Sequence, residues 1–534
     1  MSIKTVRWDR DADVVVVGLG GAGACAALEA AQYGARVRVL NRLQGGGATA
    51  VSGAIVYAGG GTAQQVAVGY DDTPEEMFKY LKQEVGNSVS VEALRRCCEQ
   101  SKQDLHWLEE QGVPFDASLC PHETSYPTDL FYVCFSGNEM AEPYKSIGRP
   151  APRGHRAKGK GTSGRVLTTK LEHAVLAAGV QVRRQTQVQR LVTDSRGGVI
   201  GVEGRSIPSG SFWARLHGQL SRINAKAVTH TPPAGRMITS LLASITQRQS
   251  RPYRVRAHKA VILAAGRFIY NREMVKEHVP LYGRCMPLGT VADDGAGILM
   301  GQSVGGATRN MGRASAWRFY VPPESMIKGV LVNRRGERLC NEDLYGATIG
   351  EYVAANGGDA YLIFDSATRK EAIGQLREQC AYWQLPTTLY MLFAGYKKAS
   401  SSGELAAKAG LDSVGLEKTM AEDHAQASSA QADPMGKSAR FFRPQAKPPF
   451  YPRNCAFDAA AGFPCASMTL GGLVVDEATG AVVQADGSAI PGLYAAGRNA
   501  VGICSKKYGS GLSIADCVFS GRRAGRYTAH LESA

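Results

Sequence analysis

Three glycines near the N-terminus, Gly18, Gly20 and Gly23, have the G-x-G-x-x-G spacing. In this spacing the first glycine permits a tight turn and the second lets a pyrophosphate approach the backbone, while the third packs a helix against a strand. The chemistry that the pattern predicts is therefore the binding of a dinucleotide. The alternative is a glycine-rich turn without a ligand.

The elements on either side of these glycines favour the dinucleotide site. Val14–Val17 is apolar at every position, as a central strand of a parallel sheet must be. Ala24–Tyr33 is strongly helix-forming, and the amides at its start would face the phosphates. Arg36–Leu40 is the second predicted strand. The contact residues expected at the first turn are Gly18, Gly20, Gly21, Ala22 and Gly23.

The second strand is followed by Asn41 and Arg42. This position usually presents a carboxylate to the ribose hydroxyls of the dinucleotide. An amide can still hydrogen-bond a diol, and an Asn-Arg pair also suits a 2′-phosphate. We expect both residues to contact the cofactor, but the stretch by itself leaves NADP open.

Small and hydroxyl-bearing residues follow in Gly45–Ala54. Their size would let the backbone run close to a flat ligand, with hydroxyls available for hydrogen bonds. A flexible loop is the alternative. The residues predicted to contact the cofactor here are Gly47, Thr49, Ser52 and Gly53.

Two later runs, Lys259–Gly266 and Ile490–Arg498, also predict a buried strand that leads into a glycine turn. A helix predicted at Gly511–Gly525 would direct its N-terminus at the same ligand. Glycine turns near both ends of the chain favour one long, two-ended cofactor over NADP. The contact residues predicted in these runs are Ala265, Gly266, Gly497, Gly511, Leu512 and Ser513.

The chain has 534 residues, which is enough for two or three domains and a large core. No apolar run approaches the roughly 20 residues of a membrane span. The N-terminus enters the first predicted strand almost directly, which leaves no room for a signal peptide. The 12 cysteines form no C-x-x-C pair and suit a reducing compartment. We therefore expect a cytoplasmic protein.

The net charge of +15 is concentrated in one region. Ten Lys or Arg residues and no Asp or Glu lie between Arg205 and Lys259. Because nucleic-acid motifs and interleaved aromatic residues are missing, we expect no nucleic-acid partner.

Residues 205–251 interrupt a predicted meander of short strands. The strands are Val180–Arg184, Val188–Thr193 and Val199–Glu203, and the meander resumes at Tyr253–Ala257. From about residue 284 to 445 the sequence pattern changes to short strand pieces, helical segments and a polar, low-complexity stretch. This change predicts a cap domain inserted into a cofactor domain. The predicted division is 1–283 for the first part of the cofactor domain, 284–445 for the cap and 446–534 for the second part.

These motifs together resemble the FAD-dependent fumarate reductase / 3-ketosteroid dehydrogenase superfamily over nearly the whole chain. The matching pieces are Gly18–Gly23, Gly45–Gly53, Val261–Gly266, Asp433–Gly436, Thr469–Leu473 and Gly492–Gly497. The resemblance implies an α/β fold: a Rossmann-like FAD-binding domain of the glutathione-reductase type with an inserted α+β catalytic cap. It also implies FAD between the two domains. We expect this FAD to be non-covalent, because no histidine lies between Arg42 and Gly61.

Within the superfamily, three hydroxyl residues resemble the functional set of the 3-oxo-5α-steroid 4-dehydrogenases: Tyr320, Tyr508 and Ser510. The resemblance implies removal of a proton from C4 and a hydride from C5 of a 3-oxo-5α-steroid. The proton next to a ketone is acidic enough only if donors stabilise the enolate oxygen. We assign this task to Tyr508 with a backbone amide near Gly511 or Leu512, the base to Tyr320, and a relay to Ser510. If its segment is extended, Arg318 would share a face with Tyr320 and favour a tyrosinate.

Other chemistries of the superfamily stay open. One is 3-ketosteroid Δ1-dehydrogenation. Another is fumarate reductase-like dicarboxylate chemistry, with Arg334, Arg335 and Arg338 as conceivable ligands, although this run is typical of an exposed hairpin turn. A third is a flavoprotein subunit that passes electrons to a partner complex.

The 205–251 insertion combines two apolar stripes at helical spacing with basic residues, and the first stripe includes Trp213. This composition is typical of a segment that lies at the surface of an anionic membrane. It predicts peripheral association with the inner face of the membrane. The alternatives are a basic segment that is exposed to solvent and a contact between subunits. We also expect an external electron acceptor, such as a quinone.

Overall fold

The structure is a computed structural model that describes residues 7–230, 232–427 and 431–532. The outer ends of the predicted cofactor domain, residues 1–6 and 533–534, lie outside the described residues. So do residue 231 of the predicted insertion and residues 428–430 of the predicted cap.

The strands are short outside the central sheet. They are β1 (Arg10–Val17), β2 (Val37–Leu40), β3 (Ile55–Tyr57), β4 (Val133–Cys134), β5 (Gly154–Arg156), β6 (Gln181–Arg183), β7 (Thr186–Thr193), β8 (Val199–Ser206), β9 (Arg251–Leu263), β10 (Met286–Pro287), β11 (Thr308–Arg309), β12 (Ala314–Trp317), β13 (Val330–Val332), β14 (Tyr361–Phe364), β15 (Tyr451–Asn454), β16 (Ala466–Thr469), β17 (Gly472–Leu473), β18 (Ala481–Val483) and β19 (Ala489–Ala495).

The helices connect these strands. They are α1 (Gly21–Gln32), α2 (Gly47–Ala50), α3 (Ala63–Ala67), α4 (Pro74–Val85), α5 (Val91–Glu110), α6 (Tyr144–Ile147), α7 (Gly164–Ala177), α8 (Phe212–His230), α9 (Pro232–Gln249), α10 (Arg272–His278), α11 (Ala296–Gln302), α12 (Gly346–Ala355), α13 (Ser366–Gln379), α14 (Leu385–Phe393), α15 (Ser402–Ala409), α16 (Ser413–Ala427) and α17 (Leu512–Ala529). Short 3₁₀ turns lie at Pro280–Arg284, Glu324–Lys328, Ala439–Phe441 and Gly497–Asn499.

The central sheet has the order β18-β19-β9-β1-β2-β6. Strand β1 pairs in parallel with β2 and β9, and the pairs β2–β6 and β9–β19 are also parallel. The valines Val14–Val17 at its centre are buried on both faces. The predicted parallel, Rossmann-like sheet is therefore confirmed.

The predicted meander is also present, with one difference. Strand β7 pairs antiparallel with β8, and β8 pairs antiparallel with the first half of β9. The sequence predicted two strands, Tyr253–Ala257 and Lys259–Gly266, where the structure has the single strand β9. No glycine or proline separates the two predicted strands, so the backbone continues from the meander into the central sheet.

Helices α1 and α17 pack closely together. A Cβ atom on Gly521 would lie 2.6 Å from the carbonyl oxygen of Ala22, and one on Gly525 would lie 2.3 Å from that of Ala26. The two glycines are four residues apart and share one helix face, as do the two alanines. This contact places the first half of α17 beside the glycine turn that follows β1, with Cys517 next to Gly21.

The predicted cap contributes strands to three smaller sheets. Their orders are β13-β14-β15, β10-β16-β12 and β11-β17. Each includes a strand from beyond residue 446, namely β15, β16 and β17. We keep the division at residues 284 and 446 as a proposal, and these pairings favour a second boundary later than 446.

Candidate active site and cofactor site

The glycine turn between β1 and α1 depends on the absence of side chains. Gly18 has a positive φ of 110°, and a Cβ atom there would lie 2.4 Å from the carbonyl oxygen of Ala264. A Cβ atom on Gly23 would lie 2.0 Å from the carbonyl oxygen of Gly18. Gly20 caps α1 without a side-chain hydrogen bond, and Thr49 Oγ1 accepts from the Gly21 amide at 3.2 Å. The other amides of this first turn are suited to a phosphate.

Asn41 and Arg42 lie at the carboxyl end of β2. Asn41 Oδ1 accepts a hydrogen bond from the Leu19 amide at 2.9 Å, so its side chain supports the glycine turn. An amide suits this position because its oxygen can accept from Leu19 while its nitrogen can donate to a ribose hydroxyl. Arg42 forms an ion pair with Asp294.

The segment after β2 runs against the glycine turn. A Cβ atom on Gly47 would lie 3.4 Å from Gly20 Cα, which brings the two backbones together. The Ser52 hydroxyl donates to the carbonyl oxygen of Thr49 at 2.7 Å and so closes a local turn. Gly53 packs against the ring of Tyr126, where a Cβ atom would approach to 2.1 Å. The structure therefore gives Ser52 and Gly53 local partners within the protein.

The glycine turns after β9 and β19 meet. The Ala265 amide donates to Asn499 Oδ1, and a Cβ atom on Gly266 would lie 2.4 Å from Asp293 Oδ1. The Gly497 amide donates to Ser520 Oγ at 2.8 Å, which fixes this turn to α17. Both turns lie at the edge of the sheet where parallel strands end, as expected for a cofactor site.

The sequence reasoning missed Arg498, which directly follows Gly497. The Nε and Nη2 atoms of this guanidinium are buried and have no hydrogen-bond partner within the described chain. Its Nη1 lies 3.8 Å from Asp293 Oδ1. Unpaired buried donors of a charged group are costly, so an acceptor from a bound molecule fits this position. Arg498 directly follows a predicted strand and glycine turn, and this position could have identified it from the sequence.

Gly511 precedes α17 with a positive φ of 89° and no side-chain cap. A Cβ atom there would lie 2.7 Å from the Tyr57 amide nitrogen. Leu512 and Ser513 are buried in the first turn of the helix. The Leu512 and Ile514 amides donate to the carbonyl oxygens of Gly509 and Gly511, at 3.2 and 3.1 Å, which leaves the Gly511 and Ser513 amides as donors near Tyr508 and Ser510.

Tyr508 and Ser510 lie in the loop just before α17. The Tyr508 ring stacks on Trp317, with centroids 4.9 Å apart. Burial raises the pKa of Tyr508, whereas the Arg498 charge and the Gly511 amide act in the opposite direction. The backbone of Ser510 is held from two sides, because its amide donates to the Ser136 carbonyl at 3.0 Å and its carbonyl accepts from Ser136 Oγ at 3.1 Å.

The structure brings Tyr345 to this pair, and the sequence reasoning missed it. Tyr345 is buried at the start of α12, where its amide donates to Asn138 Oδ1 at 2.7 Å. Burial and the nearby Tyr508 raise the pKa of Tyr345 well above its usual value, whereas an interaction with the Ser510 side chain lowers it. No motif in the sequence points to Tyr345, because its partners come from other parts of the chain.

Tyr320 lines the same cavity as Tyr345, but its hydroxyl has a different partner. Its hydroxyl donates to the carbonyl oxygen of Glu342 at 3.0 Å, and burial raises its pKa well above the usual value. The Arg318 guanidinium donates to the carbonyl oxygens of Phe463 and Ala456, at 3.1 and 2.6 Å. Arg318 and Tyr320 line the same cavity, and the effect of the Arg318 charge on Tyr320 stays a prediction.

The three conceivable carboxylate ligands already have acidic partners. Arg334 Nε donates to Asp359 at 2.9 Å, and Arg335 Nε donates to Glu337 at 2.8 Å. Arg334 and Arg335 are exposed, as predicted for a hairpin turn, whereas Arg338 is largely buried. Its side chain is only 14% exposed and pairs with Glu342 and Asp433, each at 2.6 Å.

Comparison with known proteins identifies the family. A family model described as an FAD binding domain matches residues 13–512. The chain belongs to this FAD-binding family. The predicted FAD is therefore confirmed as the cofactor.

Two relatives resemble this FAD-binding chain over nearly its full length. It is 37% identical over 510 residues to a 3-oxo-5-alpha-steroid 4-dehydrogenase of Comamonas testosteroni, covering 93% of this chain and 94% of the relative. Among solved structures, a 3-ketosteroid-delta4-(5alpha)-dehydrogenase of Rhodococcus jostii RHA1, in complex with 4-androstene-3,17-dione, has a TM-score of 0.82 and 32% identity, with 98% of each chain covered.

A more distant relative is the fumarate reductase (cytochrome) of Shewanella frigidimarina. It is 26% identical over 531 residues, covering 97% of this chain and 77% of the relative. The predicted superfamily, with its steroid and fumarate branches, is confirmed by these matches.

The residues of this FAD-binding chain fit the cofactor. The glycine turn and the first amides of α1 suit the pyrophosphate, and the end of β2 suits the ribose of the adenosine half. The unpaired Nε and Nη2 of Arg498 and the uncapped start of α17 lie near Tyr508 and suit oxygen acceptors of the other half.

Proposed function

We propose that this protein dehydrogenates a 3-oxo-5α-steroid and introduces the C4=C5 double bond. The observation that carries the proposal is that Tyr345, at the start of α12, packs in one buried cluster with Tyr508, which lies with Ser510 just before α17. The rings of Phe319 and Trp317 connect the two tyrosines. The two tyrosines and Ser510 carry neutral hydroxyls beside the aromatic ring of Trp317. Such a site orients a single ketone on an apolar molecule without burying an unpaired charge. The similarity to the steroid dehydrogenases supports the same reaction.

Tyr508 is the proposed ligand of the C3 oxygen. Because burial raises its pKa, the hydroxyl stays protonated at neutral pH and can donate. The Gly511 amide lies close to the same hydroxyl and is the second proposed donor. Two fixed donors stabilise the negative charge that develops on the oxygen as the C4 proton leaves.

Tyr345 is the proposed base for the C4 proton, in place of Tyr320. Burial raises the pKa of Tyr345 well above its usual value and Ser510 only opposes this rise, so the phenolate that accepts a proton forms at alkaline pH. When bound, FAD supplies the acceptor for the hydride from C5. The substrate thus loses one proton and one hydride, and the C4=C5 bond forms.

The other chemistries have less support. Dicarboxylate binding needs free cations, but Arg334, Arg335 and Arg338 are paired with carboxylates. The Δ1-dehydrogenases also have a tyrosine before a glycine-rich turn, but the Tyr-x-Ser-Gly form of Tyr508–Gly511 resembles the 4-dehydrogenases instead. An external acceptor such as a quinone is part of the proposal, because the reduced FAD must be reoxidised after each turnover.

The test is anaerobic mixing with a saturated 5α-3-oxosteroid. We expect loss of the oxidised flavin absorbance and formation of a 4-ene-3-oxosteroid, identified by mass spectrometry and NMR. A double bond at C1 would replace this proposal with the Δ1 reaction. Reduction by succinate and none by the steroid would favour dicarboxylate chemistry.

Peripheral membrane association is the second proposal, and the outer face of α8 and α9 supports it. Large apolar side chains are exposed there: Phe212, Trp213, Ile223, Met237 and Leu241. Basic residues share the same helices and acidic ones are missing from them, which suits anionic lipid. Among the described residues, no helix combines the length and apolarity that a membrane crossing needs. We place the contact at the inner face of the membrane.

A further inference from the structure

The helical hairpin α8–α9 is an excursion between two paired strands. Ser206 and Arg251 are opposite each other in the antiparallel pairing of β8 and β9, so a tight turn could join the strands there. The hairpin has a buried inner side formed by Ile207, Ala214 and Ile245, which pack together. Its inner face is distinct from the exposed apolar face described above.

The inner face of α8 contacts the ends of β2 and β6. Gln185, which follows β6, donates from Nε2 to the Ala214 carbonyl oxygen at 2.6 Å. A Cβ atom on Gly218 would lie 3.0 Å from Nε2 of Gln44, so α8 approaches the segment that follows β2. Arg184 joins the two segments, because its Nε donates to the Gln44 carbonyl oxygen at 2.9 Å.

His217 lies between the two helices, close to Arg42. It is buried, and its ring nitrogens lie 3.4 Å from Ser221 Oγ and 3.3 Å from Thr246 Oγ1. Burial and the nearby Arg42 charge lower the pKa of His217 to about 4, so the ring is neutral. On its other side Arg42 pairs with Asp294.

These contacts place α8 beside the adenosine half of the cofactor. In a Rossmann-like domain the pyrophosphate lies at the start of the first helix, and the ribose lies at the carboxyl end of the second strand. Here that end is Asn41, followed by Arg42 and Gln44. Helix α8 approaches from the outer side, over the residues that follow β2 and β6.

We propose that the α8–α9 hairpin is the outer wall of the adenosine site and slows the loss of FAD. The inference rests on FAD as the cofactor and is independent of the steroid reaction. The wall shields the adenosine from water, whereas the riboflavin half is bound elsewhere. Removing the wall should therefore weaken FAD binding and leave the binding of FMN, which has no adenosine, unchanged.

The experiment replaces residues 208–249 by an Asn-Gly turn and measures flavin binding to the apo-protein by fluorescence quenching. We expect the Kd for FAD to rise by about tenfold or more, as loss of buried contact area predicts, and the Kd for FMN to stay within about twofold. The rate of FAD release from the diluted holoenzyme should rise in parallel. An unchanged Kd for FAD, or equal weakening of FAD and FMN, would overturn the proposal.

A point variant covers the case in which the deletion does not fold. Gln185 has a positive φ of 54°, which asparagine also tolerates. Gln185→Asn shortens the side chain and removes its reach to Ala214, so the Kd for FAD should rise by about threefold or more. The control is Met237→Ser on the exposed face, which should bind both flavins like the wild type. If Gln185→Asn binds FAD with the Kd of the wild type, the proposal that the α8–α9 hairpin forms the outer wall of the adenosine site is contradicted.

Discussion

Tyr508 has the environment of a hydrogen-bond donor. It is buried, stacked on Trp317, and close to the Gly511 amide and the Arg498 charge. Burial keeps the hydroxyl protonated, while the neighbouring amide provides a second donor in the same place. This arrangement suits an oxygen that becomes negative during the reaction.

We expect Tyr508→Phe to lower kcat/KM by about two to four orders of magnitude, the range for loss of an oxyanion or acid–base group. The ring and its stacking on Trp317 are retained, so the FAD content should not change. Steady-state kinetics and the ratio of flavin to protein absorbance provide the measurement. Turnover near that of the wild type would mean that the C3 oxygen binds elsewhere.

Two buried tyrosines make a matched pair for identifying the base. Tyr345→Phe should lower kcat by about two to four orders of magnitude. Tyr320→Phe removes only a hydrogen bond to a carbonyl oxygen and should lower the free energy of unfolding by about 0.5–1.5 kcal/mol, with kcat nearly unchanged. Kinetics and denaturant unfolding of both variants are compared. The opposite order of the two kcat values would return the role to Tyr320.

The proposed base also predicts the pH dependence. Because burial raises the pKa of Tyr345, its hydroxyl is protonated at neutral pH and the phenolate fraction grows as the pH rises. In the wild type kcat/KM should therefore increase through the alkaline range. Tyr345→Phe should lose this increase, and Tyr320→Phe should keep it.

At the scale of elements, helix α17 and the α8–α9 hairpin have separable functions. The start of α17 is placed by its contact with α1, where glycines face alanines. This contact links the phosphate-binding turn to the loop that holds Tyr508. The α8–α9 hairpin has an inner face toward the cofactor domain and an outer face that exposes apolar and basic side chains.

We expect the outer face to bind anionic membranes. Replacing Phe212, Trp213 and Met237 by serine should abolish flotation with anionic vesicles at low ionic strength, because these side chains would enter the headgroup region. Binding by the wild type should weaken as salt is added. Neutral vesicles are the lipid control, and FAD content checks that the inner face is intact. A wild-type protein that does not float with anionic vesicles would rule out the membrane role.

At the scale of the molecule, the cofactor connects distant parts of the chain. The glycine turns after β1, β9 and β19 meet at one edge of the central sheet, although they lie far apart in sequence. Strand pairing across residue 446 joins the proposed cap to the last part of the chain. The first feature joins the two parts of the cofactor domain, and the second brings strands from beyond residue 446 into the sheets of the proposed cap.

The whole protein should release intact FAD on denaturation. The segment that follows β2 has no histidine between Arg42 and Gly61, so a histidyl linkage is not available there. Acid precipitation should leave the flavin in the supernatant, where chromatography identifies it as FAD. Yellow colour that stays with the precipitated protein would show a covalent bond.

Local patterns in the sequence determined the cofactor domain. The valine run, the glycine spacing and the helix after it predict β1, the turn and α1, because each depends on residues adjacent in the chain. The glycine turns at Gly266 and Gly497 were found for the same reason. Tyr508 and Ser510 were found because they lie within a glycine-rich loop just before a helix.

Only the tertiary structure decided which groups meet Tyr508. Tyr345 and Tyr320 both lie in the proposed cap, and nothing in their local sequence distinguishes a base from a tyrosine bonded to a carbonyl oxygen. Arg318 likewise lies two residues from Tyr320 in the sequence, but its guanidinium donates hydrogen bonds to the carbonyl oxygens of Phe463 and Ala456. Such choices depend on hydrogen bonds between residues far apart in the chain, which periodicity and spacing do not record.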